Sequence, residues 1–449
     1  MKPLPRMLIG ARWQHSARSI CLTAGAVLFS ALLLVSVSGF ASLAADAQNE
    51  NLVEQLQNRL NSGTEALAYD GTGHGYLPAV LDAFHIPVDS QLLVFSASSL
   101  QFDRINQKEP RALYYQDNIA VGAVQGGRFL EIIALDRQSG VAFYTLDVQK
   151  SAKPQFVRRS SECLGCHGFA SKWAAGMMVA SYDTGPGGQV LNLDPNHLFY
   201  LTDDRTPFEA RYGGWYVTGK TGAMQHRGNV TFDPVRSWEV PPGGLNIASL
   251  ADRIDIKNYL EPGSDVVSLL TLEHQAGFVN LVTRINAQYA SFDKGIASAR
   301  VPATAVDIDE SIESLVSYMT FVDEVPLPSP VQGTSSFAET FSRLMPADSQ
   351  GRNLRQFDLR TRLFRYPLSY MVYSQAFDNL EPRAKGRVLR RLYDVLRGAD
   401  RSGPFAKLAE RDGAAAIAIL AATKSGLPDF WKPVDERSGV VARKGGKNG

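Results

Sequence analysis

The segment Cys163-Leu164-Gly165-Cys166-His167 constrains this chain more than any other. Two thiols stand three residues apart with an imidazole directly after the second, which is the C-x-x-C-H spacing of covalent haem attachment. The spacing has a physical basis. The thiols add to two vinyl groups on one edge of a porphyrin, and the pair between them lets the backbone turn. The histidine then falls beneath the ring with a nitrogen on iron. Leu164 offers an apolar contact, and Gly165 keeps the chain from crowding the macrocycle. Iron takes the neutral imidazole, so the other ring nitrogen is expected to donate to a carbonyl that fixes the ring. Three other readings compete. A redox-active C-x-x-C wants βαβ surroundings of the thioredoxin kind. A structural zinc site needs four ligands, usually with a second cysteine pair. A plain disulfide leaves His167 without a purpose.

The N-terminus bears on the choice. Lys2, Arg6, Arg12 and Arg18 precede an apolar run from Cys21 to Phe40, and no acidic residue occurs before Asp46. Small residues then sit correctly for cleavage after Ala44 or Ala47, so residues 1–44 read as a secretory signal peptide. The alternative is an uncleaved anchor facing the periplasm, since about 20 apolar residues can span a bilayer. Cleavage removes four basic residues and no acid, leaving 42 bases against 45 acids, and it removes Cys21. Cys163 and Cys166 then remain as a lone pair outside the cytosol, where covalent haem attachment takes place. The whole chain of 449 residues has a formal charge of +1, which gives no basic footprint and argues against nucleic acid as a partner. No later segment approaches the length and apolarity of a membrane span, so the mature product is expected to be soluble and periplasmic.

The expected fold class is α+β. Residues 48–240 read as an antiparallel β-rich domain carrying the haem segment, and residues 260–435 as a mainly helical region. Polar residues 48–65 read as a helical lead-in. Short apolar or alternating runs follow at 91–95, 112–115, 119–124, 129–134 and 141–146, separated by turn residues such as Gln116-Asp117-Asn118 and Gly126-Gly127. Runs of that length with turn chemistry between them predict a meander. Weaker strand text recurs at Trp215–Val217 and Asn229–Phe232. Ser264 is the predicted cap of a helix running to about Ala290, with Val267, Leu270, His274, Phe278, Leu281 and Ile285 on one face. Helices are also predicted over 385–396 and 405–423.

Several strings resemble one group of proteins. Phe143-Tyr144-Thr145-Leu146-Asp147, the Cys163–Gly168 stretch, the segment from Arg211 to Gly219, His226-Arg227-Gly228-Asn229, Leu272-Glu273-His274-Gln275 and Tyr366-Pro367-Leu368-Ser369-Tyr370 are similar to exported bacterial proteins described only as cytochrome c domain-containing. The resemblance runs from about Leu92 to Trp431. It implies one covalent haem c and electron transfer, and it names no substrate, redox partner or distal ligand.

On the reading from the residues, Cys163 and Cys166 hold the haem and His167 is the proximal iron ligand. The distal ligand sets redox potential and access. His226, in a Gly-flanked loop, and His274, on the apolar face of its helix, are candidates, with Met177 and Met178 behind them. Met224 comes later in the chain. The bland alternative for His274 is a hydrogen-bonded core histidine, and for the methionines simple packing. Arg158, Arg159, Lys172, Arg211 and Arg227 are candidate counter-charges for the haem propionates. Trp173, Trp215 and Tyr216 are candidates for packing on the ring edge. The leading functional expectation is a monohaem electron carrier with an unknown redox partner protein. The alternatives are a haem peroxidase or oxidase, or a haem-based sensor, with an open sixth iron position. No other catalytic signature occurs.

Overall fold

The computed structural model describes residues 50–168, 170, 173–191, 199–233, 240–294, 303–410 and 413–431. The expected signal peptide with Cys21, and also Lys172 and His197, lie outside these residues. The described residues from Asn51 on belong to one compact unit. The predicted lead-in helix is α1 (Leu52–Ser62), started by Asn51, whose side chain accepts from Val53 N and Glu54 N while Glu54 reaches back. A short α2 (Leu77–Ala83) follows.

Six strands, β1 (Leu92–Val94), β2 (Arg111–Gln116), β3 (Ile119–Ala123), β4 (Phe129–Asp136), β5 (Gly140–Asp147) and β6 (Phe156–Arg159), form one antiparallel sheet in chain order. This is the expected meander with one strand more. β6 escaped notice because two of its four residues are arginine. The register puts Tyr114, Val121, Ile132 and Tyr144 in one cross-strand row, and they pack under α1 and α2 with Leu56, Leu77 and Val80. The opposite face carries two rows: Tyr115, Ala120, Ile133, Phe143, Arg159, and Leu113, Gly122, Glu131, Thr145, Val157.

After β6 comes α3 (Ser161–His167), and then a two-stranded pair, β7 (Ala180–Ser181) with β8 (Tyr200–Leu201). The weaker strand text is not strand. Trp215 makes one isolated bridge to Val94, and Asn229 lies at φ 67. Tyr212, Gly214 and Gly219 also have positive φ, which a continuous ladder does not accommodate. Side chains bond this loop instead, with Asn229 Oδ1 accepting from Val217 N and Asn229 Nδ2 donating to Val217 O.

The helical part comprises α4 (Val266–Lys294), α5 (Ala305–Met319), α6 (Phe337–Arg343), α7 (Gln375–Asp378), α8 (Pro382–Leu396) and α9 (Gly413–Thr423). Its hub is α4, buried without a break over residues 264–279, because apolar residues surround it rather than forming one stripe. The cap is Asp265 rather than Ser264. Asp265 Oδ1 accepts from Val267 N and Ser268 N, while Ser264 Oγ donates to Tyr216 O. A cap of this kind contributes about 1 kcal/mol. The run predicted over 405–423 is two elements, a 3-10 turn over Gly403–Glu410 and then α9. A single hydrophobic cluster extends from Leu92, Tyr115 and Phe143 on the sheet, through α4, to α5 and α8. Among the described residues no helix is long and apolar enough to cross a membrane.

Candidate functional site

The second face of the sheet is not filled by side chains. A cavity of about 670 Å³ lies on it, within the usual range for ligand sites of about 300–1,000 Å³. Leu113, Tyr115, Ala120, Gly122, Glu131, Ile133 and Phe143 form its floor. Cys163, Cys166 and His167 line it from α3, Met177 to Ala180 from the segment before β8, and Leu272 from α4. The floor is hollow because its central positions are Ala120 and Gly122, facing Ile133 and Glu131 across the ladder.

The motif reaches this cavity because α3 follows directly from the edge strand β6. Helical spacing brings Cys163, Cys166 and His167, at i, i+3 and i+4, onto one face. Both thiols are free, Cys163 half-buried and Cys166 exposed. Burial, aided by the charges of Glu131 and Glu162, pushes the Cys163 thiol up to about 11. A redox dithiol needs an accessible thiolate, so this environment does not suit thioredoxin-like exchange. Among the described residues no group of three or more His, Cys, Asp and Glu side chains is arranged around a metal ion.

His167 is held in one tautomer. Its Nδ1 lies 2.9 Å from Gly176 O, and a carbonyl only accepts, so Nδ1 carries the proton and Nε2 keeps its lone pair. Burial lowers the His167 pKa from its usual value, which favours the neutral ring, although the carbonyl bond pulls the other way. The ring also leans on Phe143, with centroids 4.7 Å apart. The carbonyl is fixed from behind by Asn280 on α4. Asn280 Oδ1 accepts from Met177 N at 2.9 Å, and Asn280 Nδ2 donates to Met177 O at 2.9 Å. A side chain at Gly176 would collide with Asn280 Oδ1, so glycine permits this close approach.

The four candidate distal ligands separate. Met177, buried, and Met178, half-buried, line the cavity with the motif. His226 and His274 are not among its lining residues. His274 is fully buried with both ring nitrogens engaged, Nδ1 with Asp204 Oδ2 at 2.8 Å and Nε2 with Ser369 Oγ at 2.7 Å. Its ring stacks on Tyr318. The Asp203-Asp204 turn is therefore also a core anchor. His226 accepts from Gly228 N through Nδ1, and burial depresses its pKa to about 4. Its buried Nε2 has no partner among the described residues. Met224 is a core side chain and does not line the cavity.

The counter-charge candidates also sort by place. Arg158 is on the α1 side, paired with Glu54. Arg211 is buried against Glu273 at 2.9 Å, where Tyr212 also donates to Glu273 Oε2. Arg227 pairs with Asp183. Arg159 is on the cavity face of β6 and donates to Thr145 Oγ1. Arg111 was not singled out from the sequence. It lines the cavity from β2, bonded through Nη1 to Glu131 Oε2 at 2.9 Å, and its buried Nε has no partner among the described residues. An arginine on an otherwise apolar strand face is the signal that would have found it. Trp215 lines the cavity, whereas Tyr216 packs on Phe95 in the other core and Trp173 is not a lining residue.

These features suit a planar, largely apolar group: two thiols and a lone-pair nitrogen on one wall, and a floor that is apolar except for the Arg111–Glu131 pair. Comparison with family models, with curated proteins and with solved structures returned no match, so this geometry alone carries the functional reading.

Proposed function

We propose that the chain is an exported c-type cytochrome with one haem joined to Cys163 and Cys166, His167 Nε2 as the axial ligand, and one-electron transfer as its task. The observation that carries this reading is the His167 ring. Its Nδ1 is committed to Gly176 O, so the remaining nitrogen is a neutral donor in a cavity lined by both motif cysteines. Haem iron, when bound, supplies the one-electron couple. The chain's own residues do the rest. Gly176 and Asn280 fix the imidazole and raise its basicity. The apolar floor excludes water. Met177 and Met178 are the thioether donors within the cavity, and a methionine on iron favours a high potential.

A second reading rests on the Arg111–Glu131 pair. A charged pair beside a large cavity also suits a haem enzyme or sensor that admits a small ligand. The spectrum of the dithionite-reduced protein, with and without carbon monoxide, separates the two. An unchanged low-spin spectrum is expected of the carrier, and a shifted Soret band would favour an open iron.

A further inference from the structure

The hydrogen bond that fixes the His167 ring does not end at its acceptor. Gly176 O and Met177 N belong to one peptide group. The oxygen lies 2.9 Å from His167 Nδ1, and the N–H of the same group donates to Asn280 Oδ1 at 2.9 Å. An amide whose N–H is engaged carries more negative charge on its oxygen, so the two bonds strengthen each other. Asn280 Nδ2 donates in turn to Met177 O at 2.9 Å, which holds the next peptide as well. On the motif side, Gly176 N donates to His167 O at 3.1 Å, so the two residues are joined twice. A line of bonds therefore runs from the imidazole, through one peptide group, into α4. Leu272, Ala276 and Asn280 follow one another at i, i+4 and i+8 on that helix, and Leu272 lines the cavity. The approach is close, since a Cβ at Gly176 would stand 2.1 Å from Asn280 Oδ1. Farther along α4, Asn286 makes the same kind of tie to another segment. Its Oδ1 accepts from Glu381 N at 2.8 Å, and its Nδ2 donates to Asn379 O at 3.2 Å. Of these two ties, one reaches the motif and the other joins helical parts to each other.

We propose that Asn280 is a positioning residue for the axial ligand, through which α4 sets the donor strength of His167 Nε2. The inference rests on the haem reading above and adds to it a task for the helical region, which is to tune the group held on the sheet. A ring whose Nδ1–H is drawn toward a polarised carbonyl is the stronger donor, and a stronger donor favours ferric over ferrous iron. The tie from α4 therefore holds the potential down.

The test uses the full chain, exported and matured, as wild type, Asn280→Ala, Asn280→Asp and Asn286→Ala. Covalent haem is measured on the denatured polypeptide, stability by denaturant unfolding, and midpoint potential by redox titration. Solvent exchange of the His167 Nδ1 proton is followed by NMR in the reduced protein. Covalent haem is expected in all four, since attachment needs the cysteines rather than Asn280. Asn280→Ala and Asn286→Ala each lose a pair of backbone bonds and should lose comparable stability. Of the two, Asn280→Ala alone raises the potential, and its ring proton exchanges about tenfold faster, the worth of one hydrogen bond. Asn280→Asp keeps an acceptor for Met177 N but loses the donor to Met177 O. Its ring proton should exchange as in wild type and its potential should not rise, which keeps the test alive if the alanine variant misfolds. An Asn280→Ala potential equal to that of Asn286→Ala, or an Asn280→Asp potential above wild type, would overturn the tuning role alone. A wild type without covalent haem would overturn the reading beneath it.

Discussion

On the face of the sheet covered by α1 and α2, Tyr114, Val121, Ile132 and Tyr144 fill the space beneath the helices. On the opposite face the neighbouring row runs Leu113, Gly122, Glu131 and Thr145, and the space stays open. The strands, register and twist are shared, so the difference lies in alternate side chains alone. Large apolar residues at every second position make a core, whereas Ala120, Gly122 and a bonded ion pair make a floor. Only the second face is reached by α3 and its cysteines. A sheet can thus be rigid because of one face and receptive because of the other.

The strongest way to break this contrast is to remove the cysteines. Cys163→Ala with Cys166→Ala is expected to abolish covalent haem, read by haem staining of the denatured chain, while leaving the packed face and the fold intact by circular dichroism. Next is filling the floor. Gly122→Leu places a side chain against Leu113 Cδ2, the flexible tip of its neighbour, and the added bulk enters the cavity. Haem content is expected to fall at least about tenfold, with thermal stability unchanged or raised, since a strand glycine is itself unfavourable. Undiminished haem would mean that the cavity is not where it resides.

The contrast sharpens in the cysteine-free chain, where nothing bound can mask it. Ile132→Ala on the packed face is expected to cost about 3 kcal/mol in denaturant unfolding. Ile133→Ala, next to it but half-buried on the cavity face of the sheet, should cost about 1 kcal/mol or less, because its side chain is not closely covered. Equal losses would contradict the two-face description.

A further effect is on acid stability. The fully buried histidines, His226 and His274, lie with the cavity-side core through Tyr212 and α4. His226 has its folded pKa depressed to about 4 by burial, below an unfolded value near 6.5. The unfolded chain therefore binds the proton first, and stability falls as pH drops from about 6.5 toward 4. The loss is about 2 kcal/mol by pH 5. His226→Gln should flatten that part of the stability profile, measured as unfolding midpoint against pH.

Much of this architecture is legible in the residues. β1 to β5 alternate or run apolar between clear turn chemistry, and the motif names its own helix face. What stays hidden is long-range. The periodicity of α4 puts His274 on an apolar face, but its partners Asp204 and Ser369 lie 70 and 95 residues away in sequence. From the strings that carry the resemblance, Arg211, Glu273, His274 and Ser369 meet in this buried polar core, while Trp215 and Leu272 of the same strings line the cavity. Arg111 is half legible: an arginine among the apolar residues of β2 marks its position, but nothing local says that this face of the strand is hollow. The distal side divides likewise. The histidines looked the better ligands by residue type, yet Met177 and Met178 share the cavity, because Asn280 pins their segment from across α4.

The central claim is covalent haem at Cys163 and Cys166, and the most direct measurement is the pyridine haemochrome spectrum of the exported wild-type chain after denaturation and acid–acetone extraction. A polypeptide that keeps one haem per chain, with the spectrum of thioether-linked haem, is the expected result. A colourless polypeptide with both thiols free to alkylation would contradict it.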